Sequence, residues 1–355
     1  MLKIIQTYGT LVCFAGLIVF FWIALPGTFL TSRNVLNIVQ QVSMLSVAAF
    51  AMTIVMAMGD FDLSVGSMAS LAGVVAAVAF RETGSVPLGI AAALAVGAVG
   101  GAFNGALVSY LGILPFVATL GTLTVFSGFA FLIADGKTIF GSAIPESFSA
   151  FAKGGLPLWT SGEQILRLPN LAIVALICLL LTWFLLSKMV FGRHLYAMGG
   201  NPEAARLAGI PVRLLRVSAF TFTGLGAAIA GLMYASRVAS ANPTQGSGLM
   251  LDAIASVFLG MTIARHGLKD LLRELLGIDA NKQQQSSDWG SHVLSAAQKE
   301  YAAGDVLYLH ELKARLDQML EREGRQHLAK ACFEFIPSRT ALDLGGWGEE
   351  DIFVH

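Results

Sequence analysis

The sequence predicts an all-α polytopic transmembrane helix bundle followed by a mainly α-helical soluble C-terminal segment, and three observations predict it. Fifty-five per cent of the 355 residues are hydrophobic and only 13% are charged, where a soluble domain averages about 25% charged residues. Apolar runs long enough to cross a bilayer recur through the first three quarters of the chain. The charges are also unevenly placed. Residues 1–264 hold 12 Lys+Arg and 8 Asp+Glu, whereas the much shorter stretch 265–355 holds 11 and 15. The formal net charge of zero is therefore a cancellation and says nothing about nucleic acid or substrate. The break divides the chain into a membrane part, 1–264, and a polar part, 265–355.

A spanning helix needs roughly 20 mostly apolar residues, because each rises 1.5 Å and the hydrocarbon core is about 30 Å thick. Runs at 9–27, 36–58, 63–80, 86–108, 112–134, 169–187 and 217–236 meet that test, giving seven full spans. The first follows Lys3 and is as long as a span, so it reads as an uncleaved helix rather than a secretory signal. The stretch 87–134 carries no charge and holds two spans with a break near 112–115. Gly97, Gly100, Gly101 and Gly105 fall on or near one stripe of the fourth span, where small residues let helices approach closely. An eighth run, 250–264, carries Asp252 and reads as a span cut short. Cys13, Cys178 and Cys332 lie far apart, form neither a disulfide framework nor a metal spacing, and read as small packing residues.

Orientation follows from Lys and Arg in short loops. Segment 188–216 carries Lys188, Arg193, Arg206, Arg213 and Arg216 against a single Glu203, which makes it cytoplasmic. Counting crossings then puts the N-terminus in the cytoplasm, the loop 237–249 outside, and the polar C-terminal segment in the cytoplasm.

Two places in the membrane part carry chemistry. The first is Gly59, Asp60, Phe61, Asp62, Leu63, Ser64, Val65 and Gly66, between two apolar runs. Intramembrane carboxylates are expensive and tend to face a water-filled path, which makes Asp60, Asp62 and Ser64 candidates for a substrate path lined by a broken helix. A short interfacial turn with Ser64 capping the next helix explains the same residues, and both readings stay open. The second is the segment 191–211. Asn201 is a good N-cap, Pro202 suits the first helical position, Glu203 lies in the first turn, and Gly209 with Pro211 ends the helix. A short helix so fully specified on the cytoplasmic side predicts a docking element.

The stretches GDFDLSVGSMASLAGVVAA, FLIADGKTIF, FGRHLYAMGGNPEAARLAGIPV and ASRVASANPTQGSGLMLDAIASVFLG resemble the membrane subunits of bacterial carbohydrate importers of the ATP-binding-cassette class, in the ribose/xylose/arabinose permease family. The Gly-Asp-Phe-Asp-Leu-Ser-Val and Ala-Asp-Gly-Lys stretches are closest to L-arabinose permeases. The resemblance implies a multi-pass subunit of the bacterial inner membrane that forms a homodimer around a pentose path. It implies a coupling helix made by Asn201, Pro202, Glu203, Ala204, Ala205, Arg206 and Gly209, seated on a cytoplasmic ATPase that holds ATP and magnesium. It also implies a periplasmic sugar-binding protein as donor of the substrate. The chain itself lacks a complete phosphate-cradling G-x-x-x-x-G-K-[ST] loop, since Phe131 occupies the first Gly position before Gly136, Lys137 and Thr138. It is therefore expected to be a transport subunit without cofactor and without an ATPase site of its own.

After about Met261 the permease pattern stops. HGLKDLLRELLGI, KQQQSSDW and the Tyr301–Asp305 spacing resemble the C-terminal half of a ribonuclease D-type 3′–5′ exonuclease, half of a ribonuclease H-like α/β domain. Ser295 with Gln298 forms a capping box opening a helix expected to run to about Arg322, with Tyr301 and Asp305 on one face. The resemblance makes Asp305 one ligand of a two-metal site and Tyr301 the residue that positions the attacking water. Two metals about 4 Å apart would clamp phosphodiester hydrolysis, but the other carboxylates of that site belong to the half that the permease replaces. The fragment is thus expected to be catalytically silent alone, with a divalent metal only if it were completed and no nucleic acid partner. A tethered nuclease, or a non-functional fusion joined near 261–266, are the alternatives to an importer subunit.

Overall fold

In the computed structural model residues 2–161, 164–263, 276–278, 295–322 and the positions 324, 326, 327, 330, 334, 337 and 340 are described. The chain divides into two compact units, Met1–Ile263 and Ala264–His355.

The first unit is a helix bundle. Its long helices are α1 (Leu2–Ala24), α2 (Ser32–Met56), α3 (Val65–Thr83), α4 (Val86–Tyr110), α5 (Pro115–Ile133), α7 (Asn170–Ser187) and α10 (Val212–Val238), with α11 (Leu249–Ile263) shorter. Each expected apolar run coincides with one of these. Among the described residues six, α2 to α5, α7 and α10, are long and apolar enough to cross a membrane. The outward faces of α5 and α7 are apolar, with Leu132 75% and Leu181 62% exposed. Such continuous greasy surface is stable only against lipid or another apolar face.

Local chemistry places the breaks. Thr31 accepts from the backbone N–H of Asn34 and caps α2, and Ser85 caps α4 with Pro87 in its first turn. Gly112, at φ +66°, turns the chain between α4 and α5. At the C-terminal end of α7 Lys188 lies 5.3 Å from the Trp183 ring centroid, a cation–π contact.

The glycines of α4 decide its packing. A Cβ at Gly97, Gly101 or Gly105 would lie 2.5 Å from Gly224 O, 2.3 Å from Phe220 O and 2.6 Å from Val217 Cα, all on α10. These three form the stripe that admits α10. Gly100 faces a different neighbour, because a Cβ there would collide with Met68 of α3.

Three features add to the expected bundle. Short strands are present: β1 (Ile139–Phe140) pairs antiparallel with β4 (Ser240–Ala241), and β2 (Gly155–Ser161) pairs with β3 (Gln164–Pro169). Together with the short helix α6 (Glu146–Lys153) they cap one end of the bundle, where Phe148 packs on Phe80 at 4.8 Å and its carbonyl accepts from Ser236 Oγ. The loop after α10 does not stand clear of the helices. It folds back so that Gly246 N donates to Ser70 Oγ (2.9 Å) and Gln245 Nε2 to Gly231 O (3.3 Å), which satisfies its polar groups inside the bundle. Finally, residues 190–211 contain two helices, α8 (Val190–Gly200) and α9 (Pro202–Leu207), rather than one.

In the second unit the described helices are α12 (Ala296–Leu307) and α13 (Leu309–Arg322). Ser295 and Gln298 form the capping box: Ser295 Oγ accepts from Gln298 N and Gln298 Oε1 from Ser295 N. The single helix expected to reach Arg322 is interrupted at Tyr308, whose carbonyl starts the next helix by accepting from Leu312 N. Gly304 in the preceding turn lowers helix propensity there.

Candidate functional site

The connector between α2 and α3 concentrates the buried polar groups of the membrane part. Gly59, at φ +85°, turns the chain out of α2. Asp62 Oδ1 then accepts from Ser64 N at 2.8 Å and from Ser64 Oγ at 2.6 Å. Ser64 Oγ in turn accepts from Asn104 Nδ2 of α4 at 2.8 Å. Asp62 and Ser64 are 1% exposed and Asn104 is fully buried. A buried carboxylate is tolerable only with such partners. Ser64 stands at the cap position of α3, but its hydroxyl makes no capping bond; its oxygen accepts from Asn104 Nδ2 instead, while its proton goes to Asp62. That corrects the reading of Ser64 as a side-chain cap.

Two residues earlier Asp60 Oδ2 lies 2.8 Å from Arg216 Nε, in the first turns of α10, with both side chains largely buried. The contact is an ion pair by distance rather than an aligned hydrogen bond. Burial pushes the Asp60 carboxyl above the usual carboxylate range, against the opposing pull of the Arg216 charge. Burial pushes Asp62 up as well, and the hydrogen bonds from Ser64 and Asn104 oppose it. In this conformation Asp62 and Ser64 are sealed from solvent and hold the connector to α4, while Asp60 holds it to α10.

The second locus is α9. Asn201 Oδ1 accepts from the backbone N–H groups of Glu203 and Ala204, both at 3.0 Å, and Pro202 fills the first helical position. Gly209, at φ +80°, ends the turn by donating to Arg206 O. Glu203 and Arg206 form an exposed ion pair at 2.9 Å, which contributes little stability. Exposure divides the segment. Asn201, Pro202, Glu203, Ala204 and Gly209 are exposed, Arg206 is half-buried, and Ala205 is 4% exposed. Ala205 therefore faces its own bundle, where it joins a cluster with Leu195, Met198 and Leu215.

Tyr301 and Asp305 both fall within α12, four residues apart on one helix; their side chains lie outside the described residues. Among the described residues no group of three His, Cys, Asp or Glu side chains gathers into a metal site.

Three participants escaped the sequence reading. Asn104 looked like one polar residue in a glycine-rich span, and its partner is 40 residues away. Arg216 reads from the sequence as one of the loop cations, but it is paired with Asp60. Helix α8 holds Gly192, Gly199 and Gly200, which dilute any helical pattern, and it forms because Leu195 and Met198 are fully buried. The one signal that could have found Asn104 is that a lone amide in an uncharged span must have a partner.

Residues 34–277 match the family described as branched-chain amino acid transport system / permease component. Residues 242–321 match a family described as 3′–5′ exonuclease, so the two matches overlap between 242 and 277. The ribose import permease RbsC of Bacillus subtilis (strain 168) is 35% identical over 251 residues, 71% of this chain and 75% of that protein. The L-arabinose transport system permease AraH of Escherichia coli (strain K12) is 37% identical over 276 residues, 78% of this chain and 80% of that one. Among solved structures, Brucella melitensis NrnC is 60% identical over a region covering 29% of this chain and 50% of that chain, with a TM-score of 0.24. An apo form of the nuclease matches at 56% identity, covering 29% and 49%, with a TM-score of 0.24. The chain thus spans about half the length of the solved nuclease chains it matches.

Proposed function

The chain belongs to the permease-component family of branched-chain amino acid transport systems, and from that premise we propose that it is the membrane subunit of an ATP-driven importer of a small sugar, a pentose. The observation that carries this reading is the match to the L-arabinose permease, 37% identical across 80% of that protein, on a bundle with six helices apolar enough to span a membrane. On this reading the protein sits in the bacterial inner membrane with the α8–α9 segment, the N-terminus and the C-terminal segment in the cytoplasm. It works as a homodimer, receives sugar from a periplasmic binding protein and contributes no ATPase site of its own; ATP and magnesium belong to its cytoplasmic partner.

α9 is the coupling helix of this proposal. It is exposed along Pro202, Glu203 and Ala204, capped at both ends, and braced from behind by Ala205, so it offers a rigid face to a partner. Asp60, Asp62 and Ser64 remain the candidates for the sugar path, and they meet it only when the connector moves. Purified chain reconstituted with the ATPase and binding protein of a pentose importer should accumulate radiolabelled L-arabinose or D-ribose in proteoliposomes only with ATP. ATP hydrolysis without uptake of either sugar would refute the assignment.

A second activity is suggested by the exonuclease match at 242–321. A two-metal mechanism needs several carboxylates around the ions, and Asp305 supplies one, so the fragment by itself is proposed to be silent. Incubating purified chain with short RNA and Mn²⁺ should give no trimming. Trimming abolished by Asp305→Asn would overturn that silence.

A further inference from the structure

We infer that the α2–α3 connector, residues 57–64, carries movement of α8 and α9 into the bundle through the Gly199 backbone contact and the Asp60–Arg216 pair. The inference rests on the importer reading and names the element through which its coupling helix acts.

The connector is held where four helices meet. The last turn of α8 lies against its start: a Cβ at Gly199 would sit 2.5 Å from Ala57 O and 3.2 Å from Met58 Cα. Backbone therefore touches backbone, with no flexible side chain between them to absorb a displacement. Leu195 and Met198, fully buried, pack beside the same place in one cluster with Val55 and Met58. Close-packed interiors transmit strain, so α8 cannot shift without the connector. The second coupling is electrostatic. Arg216 follows α9 on the first turns of α10, and its guanidinium holds Asp60 at 2.8 Å. Pulling the pair apart would strand two buried charges, which is strongly unfavourable. The far end of the connector is tied to α4 through Ser64 and Asn104, and Phe61 stacks on Phe258 of α11 at 5.8 Å. A push at α9 thus has two short routes to the one segment that also contacts α4 and α11.

The test uses the full chain with Cys13, Cys178 and Cys332 replaced by Ser and with Phe61→Cys, assembled in nanodiscs with the ATPase of a pentose importer. The rate at which a maleimide labels position 61 is read with and without ATP and magnesium, which requires no knowledge of the sugar. The rate should change on ATP addition in this background, and the change should be lost in Gly199→Val and in Arg216→Gln. Exchanging the charges, Asp60→Arg with Arg216→Asp, should restore part of it. If Gly199→Val fails to reach the membrane, Gly199→Ala, which meets the same carbonyl, and the charge exchange decide the matter. An ATP response equal in Gly199→Val and its parent overturns the inference and leaves the importer reading standing. A parent that binds the ATPase but shows no response also overturns the inference. A parent that binds no ATPase overturns the importer reading itself.

Discussion

Asp62 survives in the interior of an apolar bundle because Ser64 supplies two hydrogen bonds to it and Asn104 holds Ser64 in place. Removing the amide should therefore cost more than its size suggests. Asn104→Ala leaves the Ser64–Asp62 unit short of a buried partner, and such losses amount to about 1–3 kcal/mol. The expected outcome is a lower thermal midpoint in detergent, measured by tryptophan fluorescence, with the protein still inserted. Glycine residues set a second constraint at this scale. Gly101→Leu drives its new Cβ into Phe220 O, whereas a Cβ at Gly121 on α5, the site of the control Gly121→Leu, meets nothing within 4 Å. Overpacking of that kind costs about 1–3 kcal/mol or more, so Gly101→Leu should lose monodisperse protein on size exclusion and Gly121→Leu should not. The two carboxylates were legible in the sequence because charge in an apolar stretch is conspicuous. Their partners were not, since Asn104 and Arg216 come close only when α4 and α10 pack through the Gly97, Gly101 and Gly105 stripe.

At the scale of elements, α9 shows how local rules and tertiary contacts divide the work. Its caps, Asn201 and Pro202 at the start and Gly209 at the end, follow from residue chemistry alone. Which face it hides does not, because a helix of six residues is too short to show a periodic stripe. The structure separates the two faces, and the separation is testable. Ala204→Trp, on the exposed face, should lower ATP-dependent uptake while leaving thermal stability unchanged. Ala205→Trp, on the buried face, should lower stability itself. Equal effects of both on stability would show that α9 is a packing element rather than a docking one. α8 and the β2–β3 hairpin were not legible for the complementary reason. Three glycines blur the pattern of α8, and the hairpin draws its order from pairing between segments that each look like loop.

For the whole molecule, apolar run length was the most informative quantity, because bilayer thickness fixes helix length without reference to tertiary detail. It set the long helices of the first unit to within about five residues of their observed ends, except the start of α1, which lies seven residues earlier than the run that marks it. The polar second unit offers no such ruler, and there only a cap pair, Ser295 with Gln298, fixed a helix start. The central claim concerns what the membrane unit carries. Its family is described by branched-chain amino acids, while its similar relatives are named for ribose and L-arabinose. The measurement that decides between these chemistries is competitive, ATP-dependent uptake into proteoliposomes holding the full chain with importer partners, using labelled L-arabinose, D-ribose and L-leucine side by side. Accumulation of a pentose and not of leucine is the predicted result. Accumulation of leucine alone, or of nothing despite ATP hydrolysis, would contradict it.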